Sequence, residues 1–291
     1  MQPATSHNGT TLEFCMSFDT IMVHLDVGAN NENILGLARG LAERFDSSII
    51  GIAASQPMII PFGDGYGSGE LIIQNRLEIE KEMADAEVAF RSAFAGFTRP
   101  IDWRSAISFQ SSAEFIAGEM RAADLLVTGP ERGGDFFDTG RRVEIGDLIM
   151  RMGRPAMIVP STISSLKLES VLVGWKDTRE TRRAIVDALP LLKKADRVTI
   201  ASIASRADIA AAEVQVQDTK KWLERHEIKA TGMVAKSTGD DALQLSQLVQ
   251  EIGADLLVAG GYGHNRLREW MFGGVTRDLL LHPTHCTFLS H

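Results

Sequence analysis

One pentapeptide, Ala-Asp-Leu-Leu-Val, occurs twice in the chain, at residues 123–127 and 254–258. Each copy is followed two residues later by a glycine, Gly129 or Gly260, and an Asp-Leu pair begins 18 positions after each glycine. The two segments align without a gap, as copies of one structural unit would. At 291 residues the chain is about long enough for two α/β units of about 150 residues each. The repeat therefore predicts two similar domains.

The order of apolar segments supports the same division. Residues 20–26 and 171–175 are short apolar runs, each followed by a helical pattern and then by further alternation of strand and helix. Short connections between such elements predict an α/β fold. Right-handed crossovers make each parallel sheet doubly wound, in the Rossmann-like or flavodoxin-like manner, with helices on both faces. We expect a disordered tail at 1–18, a first domain at 19–160 and a second at 161–291.

Two further apolar runs close the two halves, at residues 155–159 and 286–290. As edge strands, they would leave a row of backbone N–H and C=O groups unpaired. We therefore expect them to lie side by side, so that the halves pack as an intramolecular pseudo-dimer.

Composition limits the class of protein and of partner. The chain is 44% hydrophobic and 23% charged, which is ordinary for a soluble globular protein, and no stretch approaches the ~20 apolar residues of a membrane span. A net charge of −8 argues against nucleic acid as a partner. Residues 161–291 carry 17 Lys and Arg against 16 Asp and Glu, whereas residues 1–160 carry 13 against 22, so the second half suits an anionic ligand better. The chain has two cysteines, too few for a disulfide framework, and its first residues lack the Lys or Arg of a targeting signal. We therefore expect a cytoplasmic protein.

A glycine-rich segment follows the second copy of the repeat, with the spacing G-x2-G-x9-G from Gly260 to Gly273. Glycines at the carboxyl end of a buried strand let backbone N–H groups approach a ligand, and a helix starting just after adds the positive end of its dipole. Phosphate is the ligand that such a loop suits. The spacing is neither the dinucleotide-binding G-x-G-x-x-G nor a Walker A loop. The alternative is a loop whose glycines cap helices and bind nothing.

This spacing resembles the ATP-binding signature of the universal stress protein family, specifically in residues 254–281 and weakly over residues 20–291. The resemblance implies ATP or another adenine nucleotide as cofactor, a role as stress-response sensor or adaptor with unknown protein partners, and a homodimer as one further arrangement. The family has Ser or Thr after its last glycine, where this chain has Gly274. The implied nucleotide-binding residues are Gly260, Gly263, His264, Gly273, Gly274, Val275, Thr276 and Lys176.

The same resemblance implies an Asp at the end of the first strand, close to the adenine and ribose. The first half keeps this residue as Asp26, whereas Lys176 stands at the aligned position of the second half. Lys176 is either a charge partner for phosphate or a solvated lysine at a strand end.

The loop of the first half lacks the phosphate-binding glycines. Arg132 aligns with Gly263, and Arg142 and Val143 align with Gly273 and Gly274. Arg132, Arg141 and Arg142 are either exposed charges or an anion site of another kind. We therefore expect one nucleotide site per chain, in the second half.

Side chains that zinc prefers are present near the end of the chain, at His264, His282, His285, Cys286 and His291. Adjacent His285 and Cys286 should point to opposite faces of a strand, so we expect no metal site. No Ser-His-Asp or Cys-His grouping suggests a catalytic residue.

Three functions therefore remain open: a nucleotide-binding stress protein, a nucleotide-free scaffold in which both sites are degenerate, and a weak ATPase. Bound nucleotide would distinguish the scaffold from the other two, and turnover would distinguish the ATPase.

Overall fold

A computed structural model of the chain describes residues 17–58, 68–131, 140–261 and 284–291. The elements of the first half are β1 (Thr20–His24), α1 (Glu32–Phe45), β2 (Ser48–Ser55), α2 (Ser68–Ala93), β3 (Ile101–Ile107), α3 (Ser112–Glu119), β4 (Leu125–Thr128), α4 (Ile145–Met152) and β5 (Ala156–Ile158). The second half contains β6 (Val171–Gly174), α5 (Arg179–Lys193), β7 (Val198–Ala204), α6 (Ile209–Arg225), β8 (Ala230–Lys236), α7 (Asp241–Ile252), β9 (Leu256–Gly260) and β10 (Cys286–Ser290).

The ten described strands form one sheet, in the order β3-β2-β1-β4-β5-β10-β9-β6-β7-β8. Neighbouring strands are parallel except at the centre, where β5 and β10 are antiparallel and Met157 lies opposite Phe288. The two halves thus have the same strand order in opposite directions, related by a pseudo-two-fold axis between β5 and β10. The predicted α/β fold is confirmed, and so is the predicted pairing of residues 155–159 with 286–290. The domain division at residues 160 and 161 stays a prediction.

Helices cover both faces of this sheet. On one face α1, α2, α5 and α6 bury apolar side chains against the strands, among them Leu37, Phe90 and Leu189. On the other face α3, α4 and α7 do the same, with Ile116 and Leu148 fully buried. Because the central strands are covered from both sides, strands such as β1, β4 and β9 are nearly continuous apolar runs, whereas the edge strands β3 and β8 include exposed polar residues.

The aspartate of the repeated pentapeptide has the same structural role in both halves. The carboxylate of Asp124 accepts the backbone N–H of Thr20 at 3.0 Å. The carboxylate of Asp255 accepts the N–H groups of Glu169 and Ser170 at 3.0 and 3.4 Å. In each half, this side chain fixes the start of the first strand beside the start of the fourth. The repeat therefore preserves a backbone contact as well as an apolar strand.

Phe18 lies immediately before the first strand and is buried in the core. Its ring contacts Phe45 edge-on, with centroids 5.3 Å apart, and Phe288 of β10 at 6.5 Å. Leu168 occupies the equivalent position of the second half and is also fully buried. The predicted tail of residues 1–18 therefore includes one core residue, whereas its residues 1–16 lie outside the described part of the chain.

We predict that Phe18→Ala lowers the free energy of unfolding by about 3–5 kcal/mol, because a buried ring that joins the first half to β10 is removed. Phe109→Ala is the matched control. Phe109 is 69% exposed, so its loss should change stability by about 0.5 kcal/mol or less. Urea unfolding of both variants measures the difference, and equal stabilities would contradict the placement of Phe18 in the core.

Candidate functional site

The carboxyl ends of β6 and β9 meet at one edge of the sheet. Gly174, the last residue of β6, pairs with Ala259 in β9, so Lys176 and Gly261 each lie two residues beyond this pair. Gly260 is the last residue of β9. The structure thus brings Lys176 and Gly260 to neighbouring strand ends. The other predicted site residues lie outside the described residues, namely Gly263, His264, Gly273, Gly274, Val275 and Thr276.

Gly260 packs directly against the first turn of α5. A Cβ at this position would lie 2.5 Å from the nitrogen of Thr181 and 2.7 Å from the carbonyl carbon of Glu180. Both distances are below 3.0 Å, a separation that real Cβ atoms essentially never show. Only glycine lets the strand end and the helix approach this closely. Gly260 therefore has a packing role that is independent of any ligand.

The amino end of α5 is capped by its own side chains. Thr178 is the N-cap residue, and its hydroxyl oxygen accepts the N–H of Thr181 at 3.3 Å. Glu180 is 2% exposed and accepts a hydrogen bond from Arg179 Nε at 2.5 Å. Burial raises the pKa of Glu180, but hydrogen bonds from Arg179, its own N–H and Thr178, together with the charge of Arg179, outweigh burial and lower the pKa. The end of α5 thus holds a carboxylate, which disfavours phosphate at this helix.

Lys176 is exposed at the end of β6. Its carbonyl accepts the N–H of Thr178 at 2.6 Å, which fixes the backbone of the turn. The neighbouring carboxylates have other partners, since Asp177 pairs with Arg182 at 3.0 Å and Glu180 pairs with Arg179. Within the described part of the chain, these two carboxylates are therefore paired with arginines rather than with Lys176.

The corresponding edge of the first half carries an ion-pair cluster. Arg141 contacts the carboxylates of Glu82 and Glu78, both at 2.9 Å. The carboxylate of Glu82 lies over Gly28 in the loop after β1, where a Cβ would come within 2.9 Å of it. Burial lowers the pKa of Arg141, but hydrogen bonds and attraction from both glutamates outweigh this effect and raise the pKa. The charged cluster bridges the loops that follow β1 and β4.

Asp26 holds a turn after β1. Its backbone N–H donates to Asn31 Oδ1 at 3.0 Å, and its carbonyl accepts from Asn31 Nδ2 at 3.0 Å. Val143, which aligns with Gly274, is buried in the core. Of the three arginines considered for an anion site, Arg141 faces two carboxylates, which opposes its binding an anion, and Arg132 lies outside the described residues.

Comparison with known proteins rests on structure, because no family model and no curated protein matches the sequence. A universal stress protein from Archaeoglobus fulgidus superposes with a TM-score of 0.70 at 13% identity, over 93% of this chain and 95% of that chain. This chain has the universal stress protein fold. A functionally unknown protein from Pseudomonas aeruginosa also matches, with a TM-score of 0.59 at 10% identity, over 95% of this chain and 93% of that chain. The resemblance predicted from the sequence is thus confirmed for the fold.

Within this universal stress protein fold, sequence reasoning missed Glu78 and Glu82. Both lie on α2, and their i, i+4 spacing puts them on one side of the helix. A sequence signal was therefore present, since two carboxylates on one helix side attract a cation. Their partner Arg141 is 59 residues from Glu82, however, and only the fold brings the two together.

The described part of the chain contains neither a candidate metal-ligand cluster nor a membrane-spanning helix. No cluster of three or more His, Cys, Asp or Glu side chains with suitable geometry occurs in it, and no helix in it is long and apolar enough to cross a bilayer. Burial, with a contribution from Asp255, raises the pKa of the Cys286 thiol to about 12. Burial lowers the pKa of His285. The thiol of Cys286 is therefore a weak nucleophile in this buried position.

We predict that Gly260→Ala lowers the free energy of unfolding by about 1–3 kcal/mol, because the added Cβ must push the first turn of α5 away. Gly40→Ala is the control with the opposite sign. Gly40 lies inside α1 with no atom near its Cβ position, so alanine should stabilise by about 0.5–1 kcal/mol. Thermal unfolding of the two variants checks this prediction. A Gly260→Ala protein as stable as wild type would contradict the close packing of Gly260 against α5.

We predict that Arg141→Met lowers the free energy of unfolding by about 1–3 kcal/mol, because the partly buried carboxylate of Glu82 and the exposed carboxylate of Glu78 lose their shared cation. Arg76→Met removes an exposed i, i+4 partner of Glu80 and should cost less than about 1 kcal/mol. Urea unfolding compares the variants. Equal costs would mean that the cluster is no stronger than a surface ion pair.

Proposed function

We propose that this protein binds one adenine nucleotide per chain, ATP or a close relative, in the second half, and acts as a stress-response sensor or adaptor. The difference between the two equivalent sheet edges is the observation that carries this proposal. The first half places Glu82 beside Gly28 and pairs it with Arg141, whereas the second half has the exposed Lys176 at the end of β6, beside the end of β9.

In this proposal, the loop from Gly260 to Thr276 holds the phosphates. The N–H groups near Gly263, Gly273 and Gly274 are the donors, the hydroxyl of Thr276 adds a hydrogen bond, and His264 and Val275 belong to the same loop. Lys176 supplies a positive charge from β6. The first turn of α5 is a weaker candidate for the phosphates, because it contains the buried carboxylate of Glu180 paired with Arg179.

A nucleotide-free scaffold is the second candidate. Glu180 has a buried side chain and a backbone that packs against Gly260, and Lys176 places a cation at the end of β6. Neither charge is expected in a site that receives a neutral adenosine. A weak ATPase is the third, and a homodimer of the chain stays a prediction from the resemblance. Nucleotide content distinguishes the scaffold from the others, and phosphate release distinguishes the ATPase.

The test of the proposed function begins with freshly purified protein that is denatured to release any nucleotide. ATP is then titrated calorimetrically into wild type, Gly263→Val and the control Arg132→Ala. We expect a stoichiometry near one and at least about tenfold weaker binding by Gly263→Val, since each lost charge-assisted N–H contact is worth about 1.5–3 kcal/mol. Arg132→Ala should bind like wild type.

Each other result selects a different function. Wild type that neither carries nor binds nucleotide at millimolar ATP would establish the scaffold. A stoichiometry near two would show that the first half binds despite its ion-pair cluster. Equal ATP affinities of wild type and Gly263→Val would show that the glycine loop does not bind the phosphates.

A further inference from the structure

A polar link joins α5 to the last strand close to the start of the glycine loop. Ser290 is 1% exposed, and its hydroxyl donates to the Asp187 carboxylate at 2.6 Å. This length is typical of a charge-assisted hydrogen bond to a carboxylate. Asp187 also pairs with Arg183 at 3.3 Å, and Arg183 donates to the carbonyl of Gly153 at 3.0 Å, just after α4 of the first half.

The backbone of Ser290 contacts the first residues of the loop directly. Its carbonyl accepts the N–H of Gly261 at 2.8 Å. The carbonyl of Gly261 in turn lies 3.2 Å from His291 Nδ1, which must donate because a carbonyl only accepts. On the other side, Gly260 packs against the first turn of α5. The loop start is thus held between β10 and α5, and the Asp187–Ser290 bond connects these two elements.

The first half provides an internal comparison, because α1 and α5 bury aligned residues such as Ala38 and Ala188. The three polar positions of the link are occupied differently there: Leu37 aligns with Asp187, Val159 with Ser290 and Pro130 with Gly261. Leu37 and Val159 are buried apolar residues, and proline has no N–H to donate. The link therefore occurs in the half that contains the glycine-rich segment, and its aligned positions are apolar in the half that contains the ion-pair cluster.

We propose that Asp187 and Ser290 are positioning residues for the glycine loop. They hold Gly260 and Gly261 in one geometry at the end of β9, and this raises the affinity of the loop for phosphate. The effect on affinity rests on the proposed nucleotide site, whereas the effect on Gly261 does not.

The test uses the full-length variants Ser290→Ala, Asp187→Ala and Asp187→Asn. Glu43→Ala is the control, because it removes the i, i+4 pair with Arg39 on α1, the equivalent helix. Hydrogen exchange of the Gly261 amide is measured by NMR. The amide of Val159, which donates to the Thr128 carbonyl at 2.8 Å, serves as the reference in the same protein. ATP affinity of every variant is measured by calorimetry.

We expect Gly261 to exchange at least about tenfold faster relative to Val159 in Ser290→Ala and Asp187→Ala, because the partner strand is no longer tied to α5. ATP should bind about fivefold more weakly to both variants. Asp187→Asn should remain near wild type in both measurements, since its amide oxygen still accepts the Ser290 hydroxyl. Glu43→Ala should change neither.

Unchanged Gly261 exchange overturns the proposal, whether or not ATP binds. Equal acceleration of Gly261 and Val159 overturns it as well, because Asp187 and Ser290 would then stabilise the whole fold. Selective acceleration with unchanged ATP affinity shows that the loop start does not control binding, which also overturns it. Selective acceleration in a protein that binds no ATP supports the positioning of the loop start and rejects the nucleotide function alone.

Discussion

Between β5 and β10 the sheet changes from parallel to antiparallel, and this pairing determines what the two halves can contact. Each half alone would expose the backbone edge of a short apolar strand. Pairing satisfies both edges and brings elements together across the pseudo-two-fold axis. Phe18 then reaches Phe288, and Arg183 reaches the end of α4. A Cβ at Gly261 would lie 3.7 Å from Ile149 of α4, so the candidate site in the second half is built partly against the first.

The two halves have the same fold, but the charged side chains at equivalent edges of the sheet differ. In the first, Arg141 and two glutamates form a charged cluster over Gly28, so the protein supplies both the cation and the anions. In the second, Lys176 is exposed while the nearby carboxylates are paired elsewhere. The charges at the two edges are therefore arranged differently although the strands that form the edges are equivalent.

Glycine and aspartate in this chain show why a motif residue needs a structural explanation before a functional one. Gly260 belongs to a phosphate-loop pattern, yet its missing Cβ is already required by α5. Asp124 and Asp255 are acidic residues next to buried strands, and the carboxylates of both accept hydrogen bonds from backbone N–H groups. Sequence spacing alone does not separate these roles, because packing and ligand binding both favour a small residue at a strand end.

The sequence by itself determined the order of strands and helices, the doubly wound class and the central strand pairing. The elements could be predicted because apolar periodicity is a local property of the sequence. The central pairing could be predicted because each exposed strand edge needs a partner, and the other edge is the obvious one. The tertiary structure alone decided which side chains meet. Glu82 finds Arg141 across 59 residues, and Ser290 finds Asp187 across 103. These pairs depend on the tertiary fold, which decides which distant segments lie next to each other. A buried charge is stabilised only by groups within a few ångströms, however far apart they are in sequence.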